Sequence, residues 1–129
     1  MNQNEGPQRR QYYRLRYPKG VRPAIRFENN MYHLTECSEK GIRILMPNAT
    51  RLHQGYRVTG KVFLNDGSQV DIKGTILRFD KNEVIVKLSQ GFSFKQMVAE
   101  QRLIRQKYPS FFASFSEEEE EEDEVVSVD

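Results

Sequence analysis

Three arginines near the start of the chain, Arg9, Arg10 and Arg14, have the chemistry to bind a phosphate or a guanine base. Each guanidinium is planar and charged, and its paired donors match two phosphate oxygens or the O6/N7 edge of guanine. Six arginines stand against a single lysine, Lys19, over residues 9–26. A basic arm that only improves solubility has no need for this bias, although that simpler explanation stays open.

A second group of polar residues follows at Glu36, Ser38 and Gly41. Glu36 and Ser38 alternate with Cys37, so in a strand their side chains point to the same face. A carboxylate and a hydroxyl can accept hydrogen bonds from the donor edge of guanine. Gly41 on its own is explained by a turn with positive φ. Together with the arginines, the group describes a pocket for a guanine nucleotide and its phosphates.

The remaining reactive side chains do not assemble into a catalytic or metal site. His33 and His53 have no nucleophile motif near them, and the chain has no Gly-rich phosphate loop. Cys37 is the only cysteine, so it forms no internal disulfide, and with two histidines it cannot complete a zinc site. We expect Cys37 to be a small buried residue. The sequence therefore predicts a binding protein and not an enzyme, with no catalytic residue, no metal and no cofactor.

The elements that must position these residues are strands. Six segments have period-two alternation or short apolar runs bounded by turn residues, namely 21–27, 31–37, 41–46, 56–65, 69–79 and 83–89. Asp66-Gly67 is a strong hairpin signal, and no helix separates the segments, so the strands must be antiparallel. Gly60 and Gly74 interrupt long strands, as bulges or bends do in barrels. We predict an all-β fold with one C-terminal helix, in which the strands form a six-stranded antiparallel β-barrel or, alternatively, a small sandwich.

The helix is predicted after Gly91, where the apolar spacing changes to a helical period. Ser93 can cap its start and Pro109 stops it. The expected organisation is therefore a flexible basic arm over residues 1–20, a barrel with its helix over 21–109, and a disordered acidic tail over 110–129. No apolar run is long enough for a membrane helix or a signal peptide, so we expect a cytoplasmic protein without membrane insertion.

The charge is divided unevenly along the chain. Residues 117–124 and Asp129 hold nine of the 18 acids, so residues 1–116 carry nine acids against all 20 lysines and arginines, a net charge of +11. A run of like charges is expected to stay solvated. The alternative is that this acidic segment folds back over the basic part of the chain as an electrostatic competitor.

The two motifs, in this order and followed by a barrel, resemble the PilZ domain, the bacterial receptor module for cyclic di-GMP. The RxxxR motif of that family corresponds to Arg10 through Arg14, with Arg9 as the common additional arginine. The family's (D/N)xSxxG motif is matched at Ser38 and Gly41, and the sequence departs from it at Glu36. The resemblance extends from Arg9 to Tyr108.

The resemblance implies a function as well as a fold. Arg10 and Arg14, assisted by Arg9, would hold the phosphates and guanines of cyclic di-GMP. Ser38 and Gly41 would line the pocket, and Glu36 would replace the usual acceptor for a guanine base. Ligand would order the basic arm, and the protein would then signal to a partner protein of unknown identity in motility, polysaccharide or biofilm control.

Two alternatives remain open on the sequence alone. The basic charge and the aromatic residues also suit a small nucleic-acid-binding barrel, which we rank below the nucleotide receptor. The other alternative is a degenerate PilZ domain that binds no nucleotide and serves as a protein-interaction module.

Overall fold

The computed structural model describes residues 14–109 of the 129-residue chain. Within this range lie seven strands and one α-helix, with a short 3-10 turn at Lys19–Val21. The elements are β1 (Arg14–Arg16), β2 (Ala24–Phe27), β3 (Asn30–Ser38), β4 (Gly41–Leu45), β5 (Arg57–Phe63), β6 (Gln69–Asp80), β7 (Glu83–Gln90) and α1 (Phe94–Lys107).

Six of the strands form a closed antiparallel barrel. The order around it is β3, β2, β5, β6, β7 and β4, and the pairing of β4 with β3 closes the ring. These are the six strands that the alternation predicts, and the β-barrel prediction is confirmed. The turn at Asp66-Gly67 joins β5 to β6, with Gly67 at φ 91°, a conformation that favours glycine.

The seventh strand, β1, lies where the sequence predicts a flexible arm. Residues 14–16 pair with the second half of β3, opposite Ser38, Cys37 and Glu36 in that order. Strand β2 pairs only with the first half of β3, over Asn30–His33, so β1 takes the edge that β2 leaves. The arm boundary at residue 20 is therefore wrong for residues 14–16. Leu15 and Tyr17 do alternate with Arg14 and Arg16, but this pattern spans only four residues within a basic run and does not distinguish a strand from a basic arm. Residues 1–13 and 110–129 lie outside the described residues.

Two glycines let the barrel strands approach closely. The pairing of β6 with β7 shifts register between Lys73 and Gly74, which confirms the predicted bulge there. The pairing of β5 with β6 is regular through Gly60, so a bulge does not explain the glycine at this position. A Cβ at Gly60 would lie 2.8 Å from the carbonyl oxygen of Arg26, so a larger residue would push β2 away from β5.

Helix α1 begins and ends as predicted and packs on the barrel. Ser93 Oγ accepts a hydrogen bond from the Gln96 amide, and Gln96 Oε1 accepts one from the Ser93 amide, a reciprocal capping box. The buried face of the helix comprises Met97, Glu100 and Ile104. None of the helices in residues 14–109 is long and apolar enough to cross a membrane.

The buried carboxylate of Glu100 ties α1 to the barrel. It accepts hydrogen bonds from the backbone amide of Asn65 and from Asn65 Nδ2, the latter at 2.6 Å. Asn65 Nδ2 also donates to the carbonyl oxygen of Val21 at 2.9 Å. One asparagine therefore links the helix, the β5–β6 turn and the segment that follows β1, and it satisfies a carboxylate that would otherwise be costly to bury.

Candidate ligand-binding site

A bulge in β3 decides which way the candidate acid points. Leu34 and Cys37 are both fully buried, although they are three residues apart and regular alternation would put them on opposite faces. The pairing of β3 with β4 shifts register between Leu34 and Glu36. The extra residue turns Glu36 to the outer face, whereas an unbroken alternation from Leu34 would direct it into the core.

On the outer face, Glu36 lies between two arginines of β1. Arg14 Nε is 3.6 Å from Glu36 Oε2, and Arg16 Nε is 3.5 Å from Glu36 Oε1. Only 12% of the Glu36 side chain is exposed, against 28% for Arg14 and 43% for Arg16. The carboxylate therefore holds both guanidinium groups on one surface, with the arginines covering the acid from solvent.

A third arginine, Arg43 of β4, stands opposite Glu36 on the other side of β3. Its Nη1 contacts Asp80 Oδ2 at 3.1 Å and Glu83 Oε1 at 3.0 Å. Partial burial lowers the pKa of Arg43, but the hydrogen bonds to Glu83 and Asp80 and the charge of Glu36 outweigh it and raise the pKa above its usual value. Arg43 is thus engaged by acids at the β6–β7 turn.

Ser38 and Gly41 build the turn beside these arginines. Ser38 Oγ accepts hydrogen bonds from the amides of Lys40 and Gly41, at 3.3 and 3.1 Å, and is 3.2 Å from the Gly41 carbonyl oxygen, to which it donates. Gly41 does not have positive φ, so the simple turn explanation for it is wrong. Position 41 has little room for a side chain, because a Cβ there would lie 3.3 Å from the Val86 carbonyl oxygen. With glycine at this position, the surface next to Ser38 carries no side chain.

On their inner face, β1 and β3 pack against helix α1 through Tyr17, Cys37 and Met97. The Tyr17 hydroxyl lies 3.3 Å from Cys37 Sγ, and Cys37 Sγ lies 3.7 Å from Met97 Sδ of α1. Burial raises the pKa of the Cys37 thiol to about 12, and the hydrogen bond between Cys37 and Tyr17 lowers it only in part. The thiol is therefore a protonated core group, as expected from the sequence.

The structure brings four of the six predicted site residues together on one surface: Arg14, Glu36, Ser38 and Gly41. Arg9 and Arg10 lie outside the described residues. Sequence reasoning missed Arg16 and Arg43 as neighbours of Glu36. Arg16 follows Arg14 by two positions, a signal that would have sufficed if residues 14–16 had been assigned to a strand. Arg43 reaches the site through the pairing of β3 with β4, which no local pattern reveals.

No group of three or more metal-ligating side chains occurs in the part of the chain that the structure describes.

Comparison with known families identifies the class of protein. The sequence profile of the PilZ domain matches residues 8–108, which is most of the chain. The protein therefore belongs to the PilZ domain family, a family of cyclic di-GMP receptors whose domains are binding and adaptor modules. No curated protein matches the sequence.

Solved structures that are similar to this chain include the following two. The "Bacillus subtilis Inhibitor of motility (MotI/DgrA)" has a TM-score of 0.60 and 17% sequence identity, and the match covers 79% of this chain and 52% of that one. The chain thus spans about half the length of that protein, and the likeness shows the fold. The "PilZ domain of CeSA from cellulose synthesizing bacterium" has a TM-score of 0.46 and 15% identity, covering 71% of this chain and 94% of that one.

Proposed function

We propose that this protein is a cyclic di-GMP receptor without enzymatic activity, and that the ligand binds on the outer face where β1, β3 and β4 meet. The observation that carries the proposal is the convergence of Arg14, Glu36, Ser38 and Gly41 on one surface. The arginine motif and the serine motif lie more than 20 residues apart in the sequence. The pairing of Arg14 with Ser38 makes them neighbours.

Arg14 is suited to bind a phosphate of the ligand. Its contact with Glu36 is made through Nε, and Arg14 has no other side-chain partner within residues 14–109. A guanidinium has five N–H donors, so the terminal nitrogens can bind phosphate oxygens or the O6/N7 edge of guanine while Nε faces the carboxylate. Arg9 and Arg10 are proposed to bind the ligand together with Arg14, as the RxxxR motif implies.

Glu36 has two tasks in the proposed complex. It orients Arg14 and Arg16, as its distances to both indicate. A carboxylate holds up to four acceptor sites, so it can also accept hydrogen bonds from the N1–H and N2–H₂ edge of a guanine. Aspartate or asparagine would reach less far from the strand than glutamate does, so a guanine would lie farther from β3 here than in relatives with the shorter side chain.

The turn at Ser38 and Gly41 provides the floor of the pocket. The absence of a side chain at Gly41 lets a flat base or a ribose approach the backbone. We propose that bound ligand draws residues 1–13 onto this surface, because two phosphates attract the arginines of that segment. The resulting surface would be recognised by a partner protein acting in motility, polysaccharide or biofilm control.

Calorimetric titration with cyclic di-GMP tests the proposal, because it reports affinity and the number of ligand molecules bound. Guanosine monophosphate, with one phosphate and one base, is the control and should bind much more weakly. Single-stranded RNA should bind only weakly and lose its binding at high salt. Tight binding of RNA with none of cyclic di-GMP would support the nucleic-acid alternative and overturn the proposal.

A further inference from the structure

Three cations form a basic strip on the outer face of the barrel, defined as Arg57 of β5, Lys73 of β6 and Lys87 of β7. Thr75 of β6 lies between Arg57 and Lys87, since it pairs with both. Lys73 precedes Thr75 by two positions on the same face of β6. Directly opposite residues on neighbouring strands have Cβ atoms about 5 Å apart, so the three charges lie within the span of a short peptide.

The basic strip is not neutralised by its surroundings. Arg57, Lys73 and Lys87 are all exposed, and none forms an ion pair within residues 14–109. The acid closest in register on this face, Asp71, is 3.6 Å from Lys61. Residues 14–109 contain 18 lysines and arginines and eight acids, so no pool of carboxylates elsewhere in the barrel offsets the strip.

The strip adjoins the candidate ligand site. Lys87 of β7 pairs directly with Gly41 of β4, and Gly41 has no side chain to separate them. A polyanion bound on the strip would therefore extend to the edge of the pocket. It would lower the local positive potential that attracts an anionic ligand.

The chain itself contains a polyanion of suitable length. Residues 117–124 are eight consecutive acids, and they follow the last described residue, Pro109, by eight positions. Counted from Pro109 to the end of the acidic run, 15 residues span at most about 50 to 54 Å, which exceeds the roughly 31 Å diameter of a barrel whose radius of gyration is about 12 Å. A tethered segment also acts at an effective concentration on the order of millimolar, which favours it over an acidic partner in solution.

We propose that residues 117–124 dock on the basic strip and compete with the anionic ligand at the adjoining pocket. The strip is a better acceptor for the segment than the arginines of the site. Glu36 stands between Arg14 and Arg16 and repels a polyacidic chain. Only Thr75 lies between the cations of the strip, and the neighbouring acid, Asp71, is paired with Lys61. The effect on ligand rests on the proposed function, but the docking does not.

The docking is tested without ligand by backbone amide NMR. The full chain is compared with a tail-neutral variant, in which Asp123→Asn is combined with Glu→Gln at the other seven acidic positions of 117–124. The spectra are recorded at about 0.01 M and about 1 M salt, between which the Debye length falls from about 30 to about 3 Å. We expect shift differences at Arg57, Lys73, Thr75 and Lys87 in low salt only. Differences that are absent from the strip, or centred on α1 or on β1, would overturn the docking.

The competition is tested by combining variants. The strip variant carries Arg57→Gln, Lys73→Gln and Lys87→Gln. A control variant of equal charge carries Arg51→Gln, Lys81→Gln and Lys95→Gln. The three control residues are exposed and lie outside strands β5, β6 and β7. At low salt, neutralising the tail should tighten cyclic di-GMP binding roughly threefold to tenfold in the parent and in the control. In the strip variant it should change binding less than twofold.

The two proposals fail in different ways. Equal tightening in the strip variant and in the control would overturn competition through the strip. If no variant binds cyclic di-GMP, the proposed function is wrong, and the NMR comparison still decides whether residues 117–124 dock. The substituted side chains within residues 14–109 are all exposed, so these variants should fold, and the dispersion of the amide spectra verifies that each variant does.

Discussion

The two faces of the β1–β3 ladder come from the same short stretches of chain but are held by different forces. On the outer face Arg14, Arg16 and Glu36 interact by charge at 3.5 to 3.6 Å. On the inner face Leu15 and Cys37 are 1% and 0% exposed. Partly exposed ion pairs contribute about 0 to 1 kcal/mol each, while burying a leucine side chain contributes about 1.5 to 3 kcal/mol.

The difference shows how a strand of three residues can serve binding and folding at once. Its apolar side fixes β1 against β3 and, through Tyr17, Cys37 and Met97, against helix α1. Its charged side can then exchange partners, because little of the stability depends on it. Changes on the inner face should therefore alter stability, and changes on the outer face should alter ligand binding.

The largest effect is expected from Leu15→Ala on the inner face. Removing a fully buried leucine side chain leaves a cavity, and such changes cost about 2 to 5 kcal/mol. The free energy of unfolding, measured by urea denaturation, should fall by that amount. A loss below about 0.5 kcal/mol would contradict the view that the inner face holds β1 on the barrel.

Arg14→Ala on the outer face should weaken ligand binding and leave stability almost unchanged. Its stability should stay within about 1 kcal/mol of the parent, since only a partly exposed ion pair is lost. Cyclic di-GMP binding should weaken by about tenfold to a hundredfold, the effect of losing a charge-assisted hydrogen bond worth about 1.5 to 3 kcal/mol. Arg51→Ala, an exposed arginine in the β4–β5 loop, is the matched control and should bind normally. Parent-like affinity in Arg14→Ala would exclude Arg14 from the site.

Substitutions of Glu36 test its two proposed tasks together. Glu36→Ala removes the acceptor for guanine and the group that orients Arg14 and Arg16, so binding should weaken by roughly 1 to 3 kcal/mol. Glu36→Asp keeps the carboxylate and should bind as well as the parent or better. Calorimetry on both variants gives the answer. If Glu36→Ala binds as tightly as the parent, the carboxylate is neither an acceptor nor a positioning group.

Cys37→Ala should have the smallest effect at neutral pH, about 1 kcal/mol, because little volume is lost. The effect of this substitution on stability appears at alkaline pH. Burial raises the pKa of the folded thiol to about 12, while in the unfolded chain it ionises near 9. Between these values the folded state binds more protons, so raising the pH favours unfolding. Urea denaturation from pH 8 to pH 11 should show a shallower loss of stability in Cys37→Ala than in the parent, and equal slopes would contradict a buried neutral thiol.

Much of the architecture could be predicted because its signals are local. Alternation, the Asp66-Gly67 turn and the Ser93 cap each act within a few residues, and all of them correspond to elements of the structure. Strand β1 was not predicted in this way, since the alternation of Leu15 and Tyr17 with two arginines is too short to distinguish a strand from a basic arm. It forms because the second half of β3 offers unpaired backbone groups and the barrel end offers a place to bury Leu15.

Some features of the candidate site could be predicted from the sequence, and others could not. The residue types and the order of Arg14, Glu36, Ser38 and Gly41 were enough to suggest a guanine nucleotide with phosphates. The bulge at Thr35, the ion pairs of Glu36 with Arg14 and Arg16, and the opposition of Glu36 to Arg43 were not foreseen. Each depends on the register between strands that are distant in sequence.

The sequence by itself determined the strands and the helix, the two motifs, and the separation of a basic barrel from an acidic segment, because each of these is a matter of residue type and short-range spacing. Only the tertiary structure decided that Glu36 faces outward between two arginines and that Lys87 stands beside Gly41. The physical reason is that backbone pairing and one bulge set which side chains meet, and a shift of one residue would turn Glu36 into the core.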